Sequence, residues 1–207
     1  MSVLRDMKKI VIGSKNKDKA RELRALLKRS GIRVLSLEDF PGCPEAVESG
    51  KTFTANAEKK ARQYSRHTQT LTLADDSGLM VSRLRGAPGV YSARFAGENC
   101  TYQDNNKKLL RLLKNVPAPK RGAKFVSVIA IYDKGRRIKT VRGESVGRIS
   151  DRMRGTKGFG YDPVFIPRGL SKTYAELSPA EKSKISHRGK ALRKAQAVVR
   201  QYLRKIK

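Results

Sequence analysis

The chain has 207 residues, with 47 Lys and Arg against 18 Asp and Glu, a formal net charge of +29. That length suits one domain with a sizeable core, and 38% hydrophobic residues in periodic segments exclude a disordered chain. Two cysteines (Cys43, Cys100) and two histidines (His67, His187) exclude a disulfide framework and a zinc-ligand spacing, and no apolar run approaches the ~20 residues of a membrane helix.

Lys8 to Ile12 reads as a short buried strand. It passes through Gly13-Ser-Lys-Asn16 into a helix ending about Ser30, with Ala20, Leu23, Leu26 and Leu27 as its apolar stripe. Gly31 stands where a glycine ends a helix. Val34 to Leu37 is a second strand. A second helix, about Thr54 to Arg66, is entered through Gly50-Lys-Thr-Phe53, and Leu71 to Ala74 is a third strand. Thr101-Tyr-Gln-Asp104 has the form of a capping box and opens a helix to about Leu113. Phe125 to Tyr132 and Lys139 to Ile149 read as strands turned by Asp133-Lys-Gly135, and Pro163 to Ile166 as a further strand. Ser178-Pro-Ala-Glu181 opens a turn. A long final helix carries Leu192, Ala195, Val199, Tyr202 and Ile206. This order predicts an α/β protein whose sheet is partly antiparallel.

Four segments carry candidate chemistry. Gly13-Ser-Lys-Asn-Lys-Asp-Lys19 joins a strand to a helix, and its backbone N–H groups and lysines suit an anion, or simply cap a solvated helix. It is neither a Walker A loop nor a dinucleotide fingerprint. Asp75 and Asp76 follow a strand and are the only acids between Glu58 and Glu98. Adjacent carboxylates repel unless a cation sits there, so the pair suits Mg²⁺, with Glu45 or Glu48 as a further ligand, or else forms a solvated turn. In Gly155-Thr-Lys-Gly-Phe-Gly-Tyr-Asp162, three glycines permit close approach of a ligand. There Phe159 and Tyr161 offer faces for stacking a base, and Asp162 an acceptor for a ring N–H, or the aromatics fold into the core. In Glu181-Lys-Ser-Lys-Ile-Ser-His-Arg188, Ser186 caps the last helix with His187 and Arg188 in its first turn. Cations there oppose the helix dipole unless a carbonyl or anion relieves them. A Ser77-His187 hydrolase lacks the nucleophile elbow.

Together these motifs, in this order, resemble the inosine/xanthosine triphosphate pyrophosphatase family. The resemblance runs from Ile10 to about Leu203. It includes Ser14-x-Asn16-x-x-Lys19, Glu48-Ser-Gly-x-Thr-Phe53, Ala74-Asp-Asp-Ser-Gly-Leu79 and Gly86-x-Pro-Gly-Val-Tyr-Ser-Ala-Arg94. It continues through Gly158-Phe-Gly-Tyr-Asp-Pro163, Lys172-Thr-x-Ala-Glu-Leu177 and Lys182-x-Lys-x-Ser-His-Arg188. The resemblance implies one elongated two-lobed α/β domain over residues 1–207, with a twisted mixed sheet flanked by helices and a nucleotide cleft between the lobes. It implies a homodimeric cytoplasmic enzyme that cleaves ITP, dITP and XTP to the monophosphate and pyrophosphate with Mg²⁺.

Carried over by motif, Asp76 is the proton acceptor. Glu48 and Asp76, with Asp75 close by, hold the metal. Ser14, Lys15, Asn16, Lys17, Asp18, Lys19, Lys60, Ser77 and Lys182 contact phosphates and sugar. Phe159, Gly160, Tyr161 and Asp162, with His187 and Arg188, hold the base. Ala55 departs from the pattern, standing where relatives usually have a Glu that closes a capping box with Thr52. The net charge is a second departure. It leaves nucleic acid as a partner beyond the nucleotide, since ten Lys or Arg and no acid follow Glu181.

Overall fold

The computed structural model describes residues 8–27 and 32–205. Its strands are β1 (Lys9–Ile12), β2 (Arg33–Ser36), β3 (Thr72–Val81), β4 (Gly122–Asp133), β5 (Arg136–Ile149) and β6 (Phe165–Pro167). Its helices are α1 (Lys17–Leu27), α2 (Phe53–Thr68), α3 (Tyr102–Leu112), α4 (Pro179–Ile185) and α5 (His187–Lys205). The expected helix end at Ser30 and Gly31, and Ile206, lie outside the described residues, as do the side chains of Leu26 and Leu27.

The strands form one mixed sheet in the order β2-β1-β3-β4-β5-β6. β1 pairs in parallel with β2 and with β3, as βα crossovers require. β5 pairs antiparallel with β6. β4 and β5 are joined by Lys134 and Gly135, both at positive φ (48° and 83°), the geometry of a tight hairpin turn.

By internal packing the chain divides into two compact units. The first gathers residues through Asp76, Val128–Arg142 and the chain from Ala191. Its core is Ile10, Ile12, Leu23, Leu71, Leu73, Ile129 and Ile131 with Leu192, Ala195 and Val199 of α5, the last three at the spacing read from the sequence. The second gathers Ser77–Ser127 and Gly143–Lys190. Its core joins Leu79 and Val81 to Leu109 and Leu113, with the rings of Phe125, Phe165 and Tyr174 packed together.

Three local expectations change. The third strand does not stop at Ala74; β3 continues through Asp75-Asp-Ser-Gly78 to Val81. Asp and Gly are poor strand formers, yet here the acids are buried in the ladder and compensated by side chains from elsewhere in the fold. Ser178-Pro-Ala-Glu181 opens not a turn but α4, because Ser178 and Glu181 close a capping box across Pro at the first helical turn. Pro163 lies in a short 3₁₀ turn over Asp162–Val164, and the strand begins at Phe165.

Candidate active site

In the first unit the site begins at the end of β1. Gly13 is there because a Cβ would lie 2.8 Å from the Tyr64 ring. Ser14 is half-buried, and Lys15 and Lys17 are exposed. Asn16 caps α1: its Oδ1 accepts from the N–H of Lys19 at 3.0 Å. Asp18 lies in the first turn and pairs with Arg21. Lys15 reaches Glu45 at 3.3 Å, both well exposed, so Glu45 joins the loop rather than the carboxylates of β3.

Asp75 and Asp76 are buried at 1% and 3% exposure. The Lys19 ammonium stands 3.7 Å from Asp75 Oδ2. Lys60, on the buried face of α2, donates to Glu48 Oε1 at 2.9 Å and lies 4.0 Å from Asp76 Oδ1. Asn56 Nδ2 donates to Asp76 Oδ2 at 3.0 Å, while its Oδ1 accepts from the N–H of Gly50 at 2.7 Å. Burial pushes the Asp76 carboxyl up, outweighing the pull of Lys60 and Lys19. Burial would lower the Lys60 ammonium, but Asp75, Asp76 and Glu48 together hold it above the usual lysine value. Three carboxylates thus face two ammoniums; Asp75, Asp76 and Lys60 are buried, where each charge depends strongly on the others, and Glu48 is exposed.

The donor set is carboxylate oxygen, the preference of a hard divalent cation. Glu48 and Asp76 already share one cation, the Lys60 ammonium. Among the described residues, no three His, Cys, Asp or Glu side chains surround one point as a metal cage would. α2 itself starts at Thr52, whose hydroxyl accepts from the N–H of Ala55; alanine there supplies no carboxylate to close the box.

In the second unit the Gly158–Asp162 loop folds back on a carboxylate. Asp162, 2% exposed, accepts on Oδ2 from the N–H of Phe159 at 2.8 Å and from Lys182 at 2.6 Å. Gly158 has φ +77°, and a Cβ on it would lie 2.0 Å from that oxygen, so only glycine fits. Lys182 therefore sits with Asp162, Phe159 and Arg188 in the second unit. Phe159 is half-buried. The Lys182 ammonium lies 5.0 Å and the Arg188 guanidinium 5.4 Å from its ring centre, and Tyr102 tilts against it at 5.9 Å. Tyr161 instead belongs to the core: it is buried, its hydroxyl donates to the Ser92 carbonyl at 2.9 Å, and burial raises its pKa. Gly160 offers its carbonyl to Asn106.

Ser186 ends α4 and caps α5, accepting from the N–H of Gly189 at 3.1 Å. That places His187 and Arg188 in the first turn of α5, both buried. The His187 ring stacks on Phe125 (4.5 Å between centres, 6° between planes), and Arg188 donates to Ser77 Oγ at 2.8 Å. Most of the candidate residues thus gather in two assemblies: carboxylates with lysines in the first unit, and Asp162 with Lys182, Arg188, Phe159 and, on Phe125, His187 in the second.

Residues 10–198 match the Ham1 family. The chain belongs to the Ham1 family. A dITP/XTP pyrophosphatase from Desulforamulus reducens is 50% identical over 191 residues, covering 92% of this chain and 95% of that protein. One from Bacillus licheniformis is 48% identical over 195 residues, 94% of this chain and 100% of the relative. Among solved structures, a HAM1 protein from Coxiella burnetii aligns with a TM-score of 0.84 at 38% identity, covering 94% of this chain and all of that one. A nucleoside-triphosphatase / dITP/XTP pyrophosphatase from Mycobacterium abscessus aligns with a TM-score of 0.74 at 43% identity, over 90% of this chain and 98% of that one.

Three residues not singled out in the sequence organise these Ham1 assemblies. Asn56 orients Asp76. Tyr102 backs Phe159. Asn106 ties Gly160 to α3 by donating to the carbonyls of Gly160 (2.8 Å) and Tyr102 (2.9 Å). The available signal was an asparagine inside an otherwise helical pattern, a residue that helices disfavour unless its amide is in use.

Proposed function

We propose that this protein hydrolyses deaminated purine nucleoside triphosphates, ITP, dITP and XTP, to the monophosphate and pyrophosphate. The observation that carries the reading is Asp76: a buried carboxylate, held by Asn56 and flanked by Lys60 and Lys19, in a chain of the Ham1 family. Named relatives that are half identical over nearly their whole length act on dITP and XTP.

In this reading the Ser14–Lys19 loop and Lys60 bind the triphosphate. Asp76 accepts the proton of the water that attacks the α-phosphorus, a role for which burial has already raised its basicity. Pyrophosphate leaves with its charge held by lysines. Glu48 and Asp76, with Asp75 beside them, are the residues that would hold Mg²⁺. The bound ion would supply charge stabilisation at the phosphates, in place of the pairing that Lys60 gives those carboxylates.

The base is held by the second assembly. Hypoxanthine presents an acceptor at O6 and a donor at N1, whereas adenine presents the reverse. Lys182, His187 and Arg188 supply donors for O6 and Asp162 an acceptor for N1–H; a carboxylate has about four acceptor positions, so two bonds on one oxygen leave capacity. Phe159 stacks on the ring. Against adenine the same groups are left mismatched, which is a strong basis for rejection.

A homodimer in the cytoplasm completes the reading; both stand on the family resemblance. No helix among the described residues is long and apolar enough to cross a membrane. The reaction is tested by hydrolysing ITP with Mg²⁺ in ¹⁸O-water. Label in the monophosphate, with pyrophosphate as co-product, is expected. Label in pyrophosphate, or orthophosphate as the direct product, would overturn attack at the α-phosphorus.

A further inference from the structure

The catalytic reading uses few of the 47 basic residues, and the rest are not evenly spread. From Ala191 on, the exposed positions of α5 are Arg193, Lys194, Ala197, Arg200, Gln201, Arg204 and Lys205. At 100° per residue they fall on one face, opposite the buried Ala191, Leu192, Ala195 and Val199. Five of those seven positions are cationic, and none is acidic, aromatic or a large aliphatic. Neighbouring strands widen the stripe. Lys194 donates to the carbonyl of Arg142 in β5, and Lys8, just before β1, donates to the carbonyl of Leu203. Both neighbours are themselves exposed cations. Two acids of the same unit are engaged elsewhere: Asp133 accepts from Tyr202, and Glu58 from Thr140 with Arg137 beside it.

We propose that this face of α5, with Lys8 and Arg142, is a docking surface for the phosphate backbone of double-stranded nucleic acid, read without sequence preference. The chemistry favours that occupant over others. A helix with a cation on nearly every turn matches a closely spaced row of phosphates. The lack of exposed aromatics removes the stacking platforms that single strands use. The lack of exposed aliphatics removes the apolar face that a membrane-surface helix buries.

The test is fluorescence anisotropy with labelled duplexes of about 20 base pairs and unrelated sequences, titrated from about 50 to 300 mM KCl. The intact protein is expected to bind all duplexes alike, with log affinity falling linearly with log salt. The combined Arg193→Gln, Lys194→Gln, Arg200→Gln and Arg204→Gln variant is expected to lose at least about tenfold in affinity at 100 mM salt. Its salt slope should be shallower by up to about 3.6, since each lost phosphate contact removes ~0.9. Its ITP turnover and unfolding temperature should stay unchanged. A variant of equal charge loss in the second unit, Lys107→Gln, Arg111→Gln, Lys114→Gln and Lys120→Gln, should keep most of the binding. The proposal falls if the intact protein does not bind at low salt, or if the two variants lose binding equally. It also falls if phosphatidylserine vesicles are bound more tightly than duplex.

Discussion

The two assemblies hold opposite charge balances. In the first unit, Glu48, Asp75 and Asp76 outnumber Lys19 and Lys60, and the whole set is anchored on β3 and α2. In the second, Lys182 and Arg188 outnumber Asp162 and flank the Phe159 ring, while His187 stacks on Phe125. A cluster with excess carboxylate takes up protons or cations. A cluster with excess donors takes up a carbonyl-bearing ring. One chain segment joins them, since Asp76 and Ser77 are consecutive in β3. The division of labour therefore predicts that variants on the acidic side change the rate, whereas variants on the basic side change the choice and affinity of base.

Asp76→Asn tests the acidic side and should have the largest effect. It keeps the side-chain volume and removes the proposed proton acceptor, so turnover of ITP should fall by about 10²- to 10⁴-fold. The unfolding temperature should not drop, because the change removes a buried carboxylate that burial disfavours. Near-normal turnover would dissolve the comparison. Asp162→Asn tests the basic side. The ratio of kcat/KM for ITP over ATP should fall by about ten- to a hundredfold, the cost of one charged hydrogen bond lost. A uniform loss for both nucleotides would make Asp162 a loop anchor for Lys182 and Phe159 alone. Phe159→Leu should raise KM by about tenfold for every purine while leaving the ITP to ATP ratio intact, since stacking is blind to the edge of the base.

The smallest effect lies outside both assemblies. Asp104 closes the box at the start of α3, and the hydrogen bonds from the Thr101 hydroxyl and N–H hold its carboxyl below the usual aspartate value. A carboxyl depressed in the folded state adds stability above its unfolded pKa of about 3.9 and loses it as pH falls through the lower folded value. Thr101→Val should lower the unfolding temperature slightly at neutral pH, with the gap to the parent narrowing below about pH 4 to what the lost cap on the Asp104 N–H leaves.

What was legible in the sequence was local. The Thr101–Asp104 box, the Asp133-Lys-Gly135 turn, the cap at Ser186 and the apolar spacing of α5 need only neighbouring residues, and all stand in the fold. Candidate residues were legible as motifs, but their pairings were not. The continuation of the third strand past Ala74 through Asp75 and Asp76 was not legible, because the compensating groups, Lys19, Asn56 and Lys60, come from two helices. The pairing of Lys182 with Asp162 was not legible, because the two are twenty residues apart. Tyr161 and Phe159, two residues apart in one loop, took different places, one buried in the core and one half-buried beside Lys182, that composition does not distinguish.

The most direct measurement compares kcat/KM for ITP and ATP, side by side with Mg²⁺. ITP is expected to exceed ATP by at least about a hundredfold, because the basic assembly presents donors where adenine also presents one. Equal values for the two nucleotides would contradict the account.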